Sequence, residues 1–110
     1  GAFLRIKKDS WGNSGSNGGN VTLKATNQLI NGDIVIDSIS TLTMNLKNSN
    51  FTGKINKANS AKSIDLNIDK DTKIKLTGNS YVTSFTNEDA SNSNIDFNGY
   101  KLYVNGKAIN

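Results

Sequence analysis

Along the middle of the chain apolar and polar residues alternate one for one. Leu42, Met44 and Leu46 alternate with Thr43, Asn45 and Lys47, the period of a strand with one buried and one wet face. The turn-forming triplet Asn48-Ser49-Asn50 follows, and a second run sets Phe51, Gly53 and Ile55 against Thr52, Lys54 and Asn56. Strand, corner, strand is the unit, and it recurs. Upstream, Val21, Leu23 and Ala25 alternate with Thr22, Lys24 and Thr26; a corner at Asn27-Gln28 then leads to NGDIVID, where Ile34 and Ile36 face opposite to Asp33, Val35 and Asp37. Downstream, Ile64, Leu66 and Ile68 alternate with Asp65, Asn67 and Asp69, and after a polar corner Ile74, Leu76 and Gly78 alternate with Lys75 and Thr77.

Gly32, Gly53, Gly78 and Gly99 punctuate the second strand of each unit at spacings of 21, 25 and 21 residues. A period near twenty predicts a solenoid, here an all-β parallel β-helix of about four coils. The single domain 1–110 divides into a loop at 10–20, coils over 21–86, a polar excursion at 87–94 and terminal strands at 95–104. Before the loop, FLRIKKD reads as a strand with Leu4 and Ile6 inward. Within GNSYVTSF the register stays open: either Val82 faces inward with Tyr81, Thr83 and Phe85 outward, or the reverse. NIDFNGYKLYVNGK reads as two last strands around the tight turn Asn98-Gly99, with Lys101 and Tyr103 on one face and Tyr100 and Leu102 on the other. Asn105-Gly106 is a further turn, so the strands end near Val104 and the last one closes the bottom of the stack.

Composition narrows the chemistry. A hydrophobic content of 35% in 110 residues fills only a narrow core, as a coil stack requires. The absence of His removes the commonest general base and the usual zinc ligand. The absence of Pro fits strands that donate to ladders on both sides, and the absence of Cys excludes disulfides and thiolate metal sites. Eighteen Asn supply corner residues that tolerate left-handed backbone, so asparagine ladders are expected at the corners. No apolar run reaches the roughly 18 to 20 residues that span a bilayer, and no leader opens the chain; an export signal, if there is one, lies upstream.

KDSWGNSGSNGGNVTL, GDIVIDSISTLTMNLKNSNFTGKIN and LTGNSYVTSFTNEDASNSNIDFNGYKLYVNGK resemble the C-terminal part of a family of secreted bacterial carbohydrate-binding proteins with a right-handed parallel β-helix. The resemblance implies a pectate-lyase-like fold, binding of cellulose or polygalacturonate, and calcium held in the helix. Right-handedness also agrees with the general preference of parallel crossovers. Members of that family are longer, so coils preceding Phe3, with any calcium or sugar site on them, are missing here and this chain is a candidate fragment of a longer helix.

A lyase needs calcium held by several carboxylates and a basic group beside the C5 proton of the substrate. Arg5 is the only Arg. Asp33 and Asp37, like Asp65 and Asp69, lie about 13 Å apart along a strand and do not share an ion. Asp33 pairs more naturally with Lys54 on the next coil. Asp9-Ser10 with Asn13 and Asn17, or Glu88-Asp89 with Asn92, are the loops with oxygen ligands for calcium, though neither has the spacing of an EF-hand loop. The +4 charge and the outward Lys24, Lys47, Lys54, Lys73 and Lys75 suit phosphate, but the lysines are mixed with acids and no recognition helix or aromatic RNA-binding strand accompanies them. The same lysines attract a polyuronate, whose carboxylates repeat along an extended chain.

Trp11 is either a sugar platform on the glycine-rich loop or a cap on the stack, and Tyr81, Tyr100 and Tyr103 either stack on sugar rings or cover the open end. Trp11, Tyr81, Tyr100, Tyr103 and Lys54 are therefore the candidate ligand-binding residues. The expected function is non-catalytic binding of plant cell-wall polysaccharide by a secreted or cell-surface bacterial module, with calcium as a candidate cofactor and with neither nucleic acid nor membrane as partner. An adhesin stalk without glycan affinity and, behind it, a polysaccharide lyase are the alternatives. An unpaired edge on the first coil predicts end-to-end dimerisation through the N-terminal end.

Overall fold

The structure is a computed structural model that describes the backbone of residues 2–6 and the whole of residues 20–36, 40–57, 59, 61 and 63–110. Within these residues there is no helix. Thirteen strands follow in order: β1 (Ala2–Ile6), β2 (Asn20–Thr26), β3 (Leu29–Asn31), β4 (Asp33–Ile36), β5 (Thr41–Lys47), β6 (Asn50–Gly53), β7 (Ser63–Ile68), β8 (Lys73–Leu76), β9 (Ser80–Val82), β10 (Ser84–Asn87), β11 (Ile95–Asp96), β12 (Leu102–Val104) and β13 (Lys107–Ala108). The first sheet runs β2-β5-β7-β10 and the second β3-β6-β8-β11, all parallel. A third face is made of β1-β4 above and β9-β12 below, joined by the single bridge Ile34 to Ile55. The chain is a parallel β-solenoid of four coils, with β1 as the last rung of a preceding turn.

Coils 1, 3 and 4 therefore have three strands where the alternation pattern predicted two, and coil 2 has two strands with the isolated bridge at Ile55 in the third position. The segment read as a second strand, NGDIVID, holds the third-face strand β4. The true second strand, β3, is three residues long with only Ile30 inward, too short for a period of two to register. The glycines fall out of line for the same reason. Asn31 pairs with Thr52, which sets Gly32 beside Gly53, but Gly53 itself pairs with Leu76 and not Gly78. The corner after the second strand of coil 3 is two residues longer than that of coil 2, so Gly78 falls outside the column of Gly32 and Gly53.

Inward alternation holds in the first two sheets. Leu42, Met44, Leu46, Ile64, Leu66 and Ile68 are buried, as are Phe51, Ile74 and Leu76. Parallel register stacks like on like: Leu23, Met44, Leu66 and Phe85 form one column through all four coils, and Ile30, Phe51, Ile74 and Ile95 another. Full burial of one such side chain contributes about 1.5–3 kcal/mol. The open register in GNSYVTSF resolves into a break: Ser80 and Val82 point inward on β9, the chain steps out at Thr83, and Phe85 packs against the core from β10. Both alternatives were half right, because the corner falls between them.

The corners use asparagine as predicted, and hydroxyls as well. Asn27 and Asn48 both have left-handed backbone, with φ of 56° and 46°, and Asn48 Nδ2 donates to Asn27 Oδ1 at 2.7 Å. Inside that ladder runs a second one. Gln28 N donates to Ser49 Oγ (3.1 Å) and Ser49 N to Thr72 Oγ1 (3.3 Å), so a backbone donor freed by each bend meets a buried hydroxyl of the next coil. Thr72→Val keeps the shape and leaves Ser49 N–H without that acceptor, so a loss of about 2 kcal/mol in urea unfolding is expected; a loss below about 0.5 kcal/mol would remove the hydroxyl ladder from the stabilising contacts.

The lower end differs from expectation. Asn98-Gly99 turns tightly, with φ of 54° and 81° and Tyr100 N donating to Phe97 O at 2.9 Å. It joins no antiparallel pair, because β11 and β12 belong to different faces of the same coil. Tyr100 lies in this corner and not on a strand with Leu102. The antiparallel hairpin is at Asn105-Gly106, with φ of 50° and 82°, and it carries the chain past Val104 into β13. Strand β13 covers the lower edge of β12, and Asn110 Oδ1 accepts from Leu102 N at 3.0 Å. At the upper end β2 and β3 are outer strands of their sheets, and Leu29 is 71% exposed.

Candidate functional site

Coil 2 leaves the third face early, and a groove results. After Ile55 the chain turns at Asn56, whose φ is 53°. Its N–H donates to Ile34 O above (2.9 Å), its Nδ2 to Tyr81 O below (3.3 Å), and its Oδ1 accepts from Ala61 N (3.2 Å). Ile55 and the backbone and side chain of Asn56 thus bridge coils 1 and 3 at the place where a strand of coil 2 would lie. On either side of it are two hollows. One, of about 320 Å³, is lined by Asp33, Ile34, Val35, Ile36, Lys54, Asn56 and Lys57. The other, of about 330 Å³, is lined by Lys54, Lys57, Thr77, Gly78, Asn79, Tyr81 and Tyr100. They share Lys54 and Lys57, so the two hollows adjoin and together form the third-face groove, lined by residues of coils 1 and 2 on one side and coils 2 to 4 on the other.

Lys54 is held in place at both ends. Its Nζ lies 2.7 Å from Asp33 Oδ2, its N–H donates to Asp33 Oδ1 at 3.3 Å, and its own carbonyl accepts from Ile34 N at 3.0 Å. Its aliphatic stem crosses Gly78, where an added Cβ would stand 2.7 Å from Lys54 Cδ. Gly78 is small because Lys54 covers it. Desolvation of Asp33 opposes ionisation, but the Lys54 side-chain and backbone hydrogen bonds outweigh it and hold the carboxyl below its ordinary 3.8. A carboxyl lowered by folding stabilises above its unfolded midpoint, and that contribution is lost as pH falls through the folded one. An NMR titration of Asp33 is expected to give a midpoint below 3.8, and Lys54→Ala is expected to raise it, because the ammonium partner is lost while burial and the backbone N–H bond from residue 54 remain. An unchanged midpoint in the variant would show that the lysine does not set it.

The tyrosines occupy different ranks. Tyr81 on β9 and Tyr103 on β12 stack on each other with centroids 4.8 Å apart and planes 7° from parallel, a register pairing of adjacent coils. Tyr81 faces the groove and Tyr103 supports it from below. Tyr100, 39% exposed, offers its ring to the same hollow from the corner of coil 4. Sequence reasoning therefore named three residues that the fold brings to one hollow, Lys54, Tyr81 and Tyr100, and one that backs it, Tyr103. Trp11 lies outside the described residues, as do Asp9, Ser10, Asn13, Asn17 and Asp37. Lys57, Thr77 and Asn79 were missed; Thr77 and Asn79 lie in the corner after β8 and Lys57 follows the turn at Asn56, positions that become visible only once the coils are known to have a third face.

The acidic loop at 87–94 spends its polar groups on itself and on coil 3, where Asn94 Nδ2 donates to Asp69 O and Thr72 O. Asp89 accepts from Ser91 Oγ, Ser93 Oγ and Ser91 N, and the serine hydroxyls hold its carboxyl down to about 2. Asn87 Nδ2 donates to Asn92 Oδ1 (2.9 Å) and Asn94 Oδ1 (2.8 Å). Among the described residues no group of three or more Asp, Glu, His or Cys is placed to hold a metal ion. Lys24, Lys47, Lys73 and Lys75 are exposed on the first two faces, away from the groove. No family model matches this chain, and no curated protein or solved structure matches it.

Proposed function

We propose that the chain is a non-catalytic module that binds an extended plant cell-wall polysaccharide, polygalacturonate or cellulose, along the third-face groove, outside a bacterial cell. The observation that carries this reading is the meeting of Tyr81, Tyr100, Lys54 and Lys57 around one hollow. Sugar rings present an apolar C–H face to an aromatic ring and hydroxyls to neighbouring polar groups. Tyr100 supplies the ring, Thr77 and Asn79 the hydrogen bonds, and Lys57 a cation for a uronate carboxylate. Lys54 is neutralised by Asp33 and serves as a wall of the groove.

Affinity electrophoresis on polygalacturonate and on a soluble cellulose derivative, with and without calcium, tests the reading. Retardation is expected without the ultraviolet absorbance of unsaturated products, and Tyr100→Ala is expected to weaken it about tenfold, the effect of losing roughly 1.4 kcal/mol of ring contact, with unfolding unchanged. Absorbance growing with time would replace the binding module by a lyase. Absence of retardation on every glycan would leave a structural or adhesin stalk.

A further inference from the structure

The outward side of the first sheet separates its charges along the coil axis. In the upper two coils the charged residues are Lys24 and Lys47; in the lower two they are Asp65, Asp69 and Glu88. Lys47 stands in register directly above Asp69, yet the pair does not form a salt bridge. Asp69 is taken by Asn48 N, Asp71 N and Thr72 Oγ1, and among the described residues Lys54 and Asp33 make the one ion pair. A shallow hollow of about 480 Å³ runs down this face between the two halves, lined among others by Lys24, Lys47, Asn45, Asn67, Asp69 and Glu88.

A face that is basic at one end and acidic at the other is complementary to its own inverse. We propose that the first sheet is the contact face of a weak homodimer whose two-fold axis runs parallel to the strands and passes between coils 2 and 3. That operation sets coil 1 on coil 4 of the second copy and coil 2 on coil 3, as an isologous interface requires. Lys47 then faces the Asp69 row, the amide of Asn45 faces that of Asn67, and Lys24 reaches Glu88 across one strand position. The alternative two-fold, parallel to the coil axis, sets like coils together and leaves every charge opposite a neutral residue. Charge complementarity therefore selects the antiparallel arrangement.

The size of the face fixes the strength. Seven strand residues at about 3.3 Å by four coils at about 4.8 Å give roughly 400 Å² per copy, below the about 1,000 Å² in total at which stable interfaces begin. The dimer is thus transient and salt-sensitive, and it leaves the third-face groove of both copies open.

Sedimentation velocity of the whole chain over a concentration series tests this. The expected result is a monomer–dimer equilibrium in 25 mM NaCl whose dissociation constant rises at least about tenfold in 300 mM NaCl, as screening of exposed charges requires. Lys24→Glu puts two acids at the Glu88 contact and Glu88→Lys two bases at the Lys24 contact; each is expected to weaken self-association about tenfold or more, and the two to form a heterodimer of wild-type affinity when mixed. Heterodimer formation also shows that both variants are folded. A wild-type chain that stays monomeric at millimolar concentration in low salt would overturn the proposal. So would a dimer that survives both charge reversals, which would place the contact elsewhere, such as the outer edges of β2 and β3.

Discussion

Gly53→Ala is expected to destabilise the chain by about 3 kcal/mol, the upper range for forcing a methyl into packed surroundings, and to lower Tm by roughly 10 °C or more. An added Cβ would stand 2.0 Å from Gly32 O and 3.1 Å from Phe51 Cζ. The first of these is backbone of the coil above, held in its ladder by Gly32 N donating to Thr52 O at 3.0 Å, and it cannot move without separating coils 1 and 2. Gly99→Ala is the control. There the same methyl meets nothing within 4 Å, and only the positive φ of 81° is penalised, by about 1 kcal/mol. Thermal unfolding followed by circular dichroism separates the two, and equal losses would mean that the coils do not approach so closely at Gly53.

The second large effect is expected at Asn56. Replacement by Ala removes the donor to Tyr81 O and the acceptor for Ala61 N, leaving two half-buried groups without those partners at about 1 kcal/mol each. It also puts a residue with a Cβ at a left-handed φ without the amide that favours it. A total near 3 kcal/mol is expected by urea unfolding, with Asn56→Gly recovering the backbone share of about 1 kcal/mol. Because the Asn56 side chain bonds the Tyr81 carbonyl beside the hollow, glycan affinity should fall along with stability in both variants. Retention of full affinity in a destabilised Asn56→Ala chain would separate the groove from this bridge.

The parts of this fold that were legible in the sequence are those where a strand is long enough to show its period. Strands β5 and β7, of seven and six residues, carry three inward positions each, and their alternation dictates parallel stacking once it recurs at intervals near 21. Strands β3 and β9, of three residues each, carry too few to reveal a face, so the third side of the coil stayed hidden. The hydroxyls of Ser49, Thr72 and Ser80 were hidden for a different reason. Small polar residues in a corner read as solvated turn formers, whereas here parallel register places each under a freed N–H of the coil above. The pairing of Asp33 with Lys54 was legible because it needs only the period. The union of Lys54 with Tyr81 and Tyr100 was not, because it depends on coil 2 leaving the third face after Ile55, a departure set by Asn56 and by no pattern of apolar residues.

Titration of the ¹⁵N-labelled chain with a galacturonate tetramer, read amide by amide, tests the location of the glycan site most directly. Binding along the third face predicts shifts at Lys57, Thr77, Asn79, Tyr81 and Tyr100, with the first-sheet rows at Thr22, Asn45 and Asn67 unmoved. Shifts confined to the first-sheet rows, or none at saturating ligand, would contradict the assignment of that groove as the glycan site.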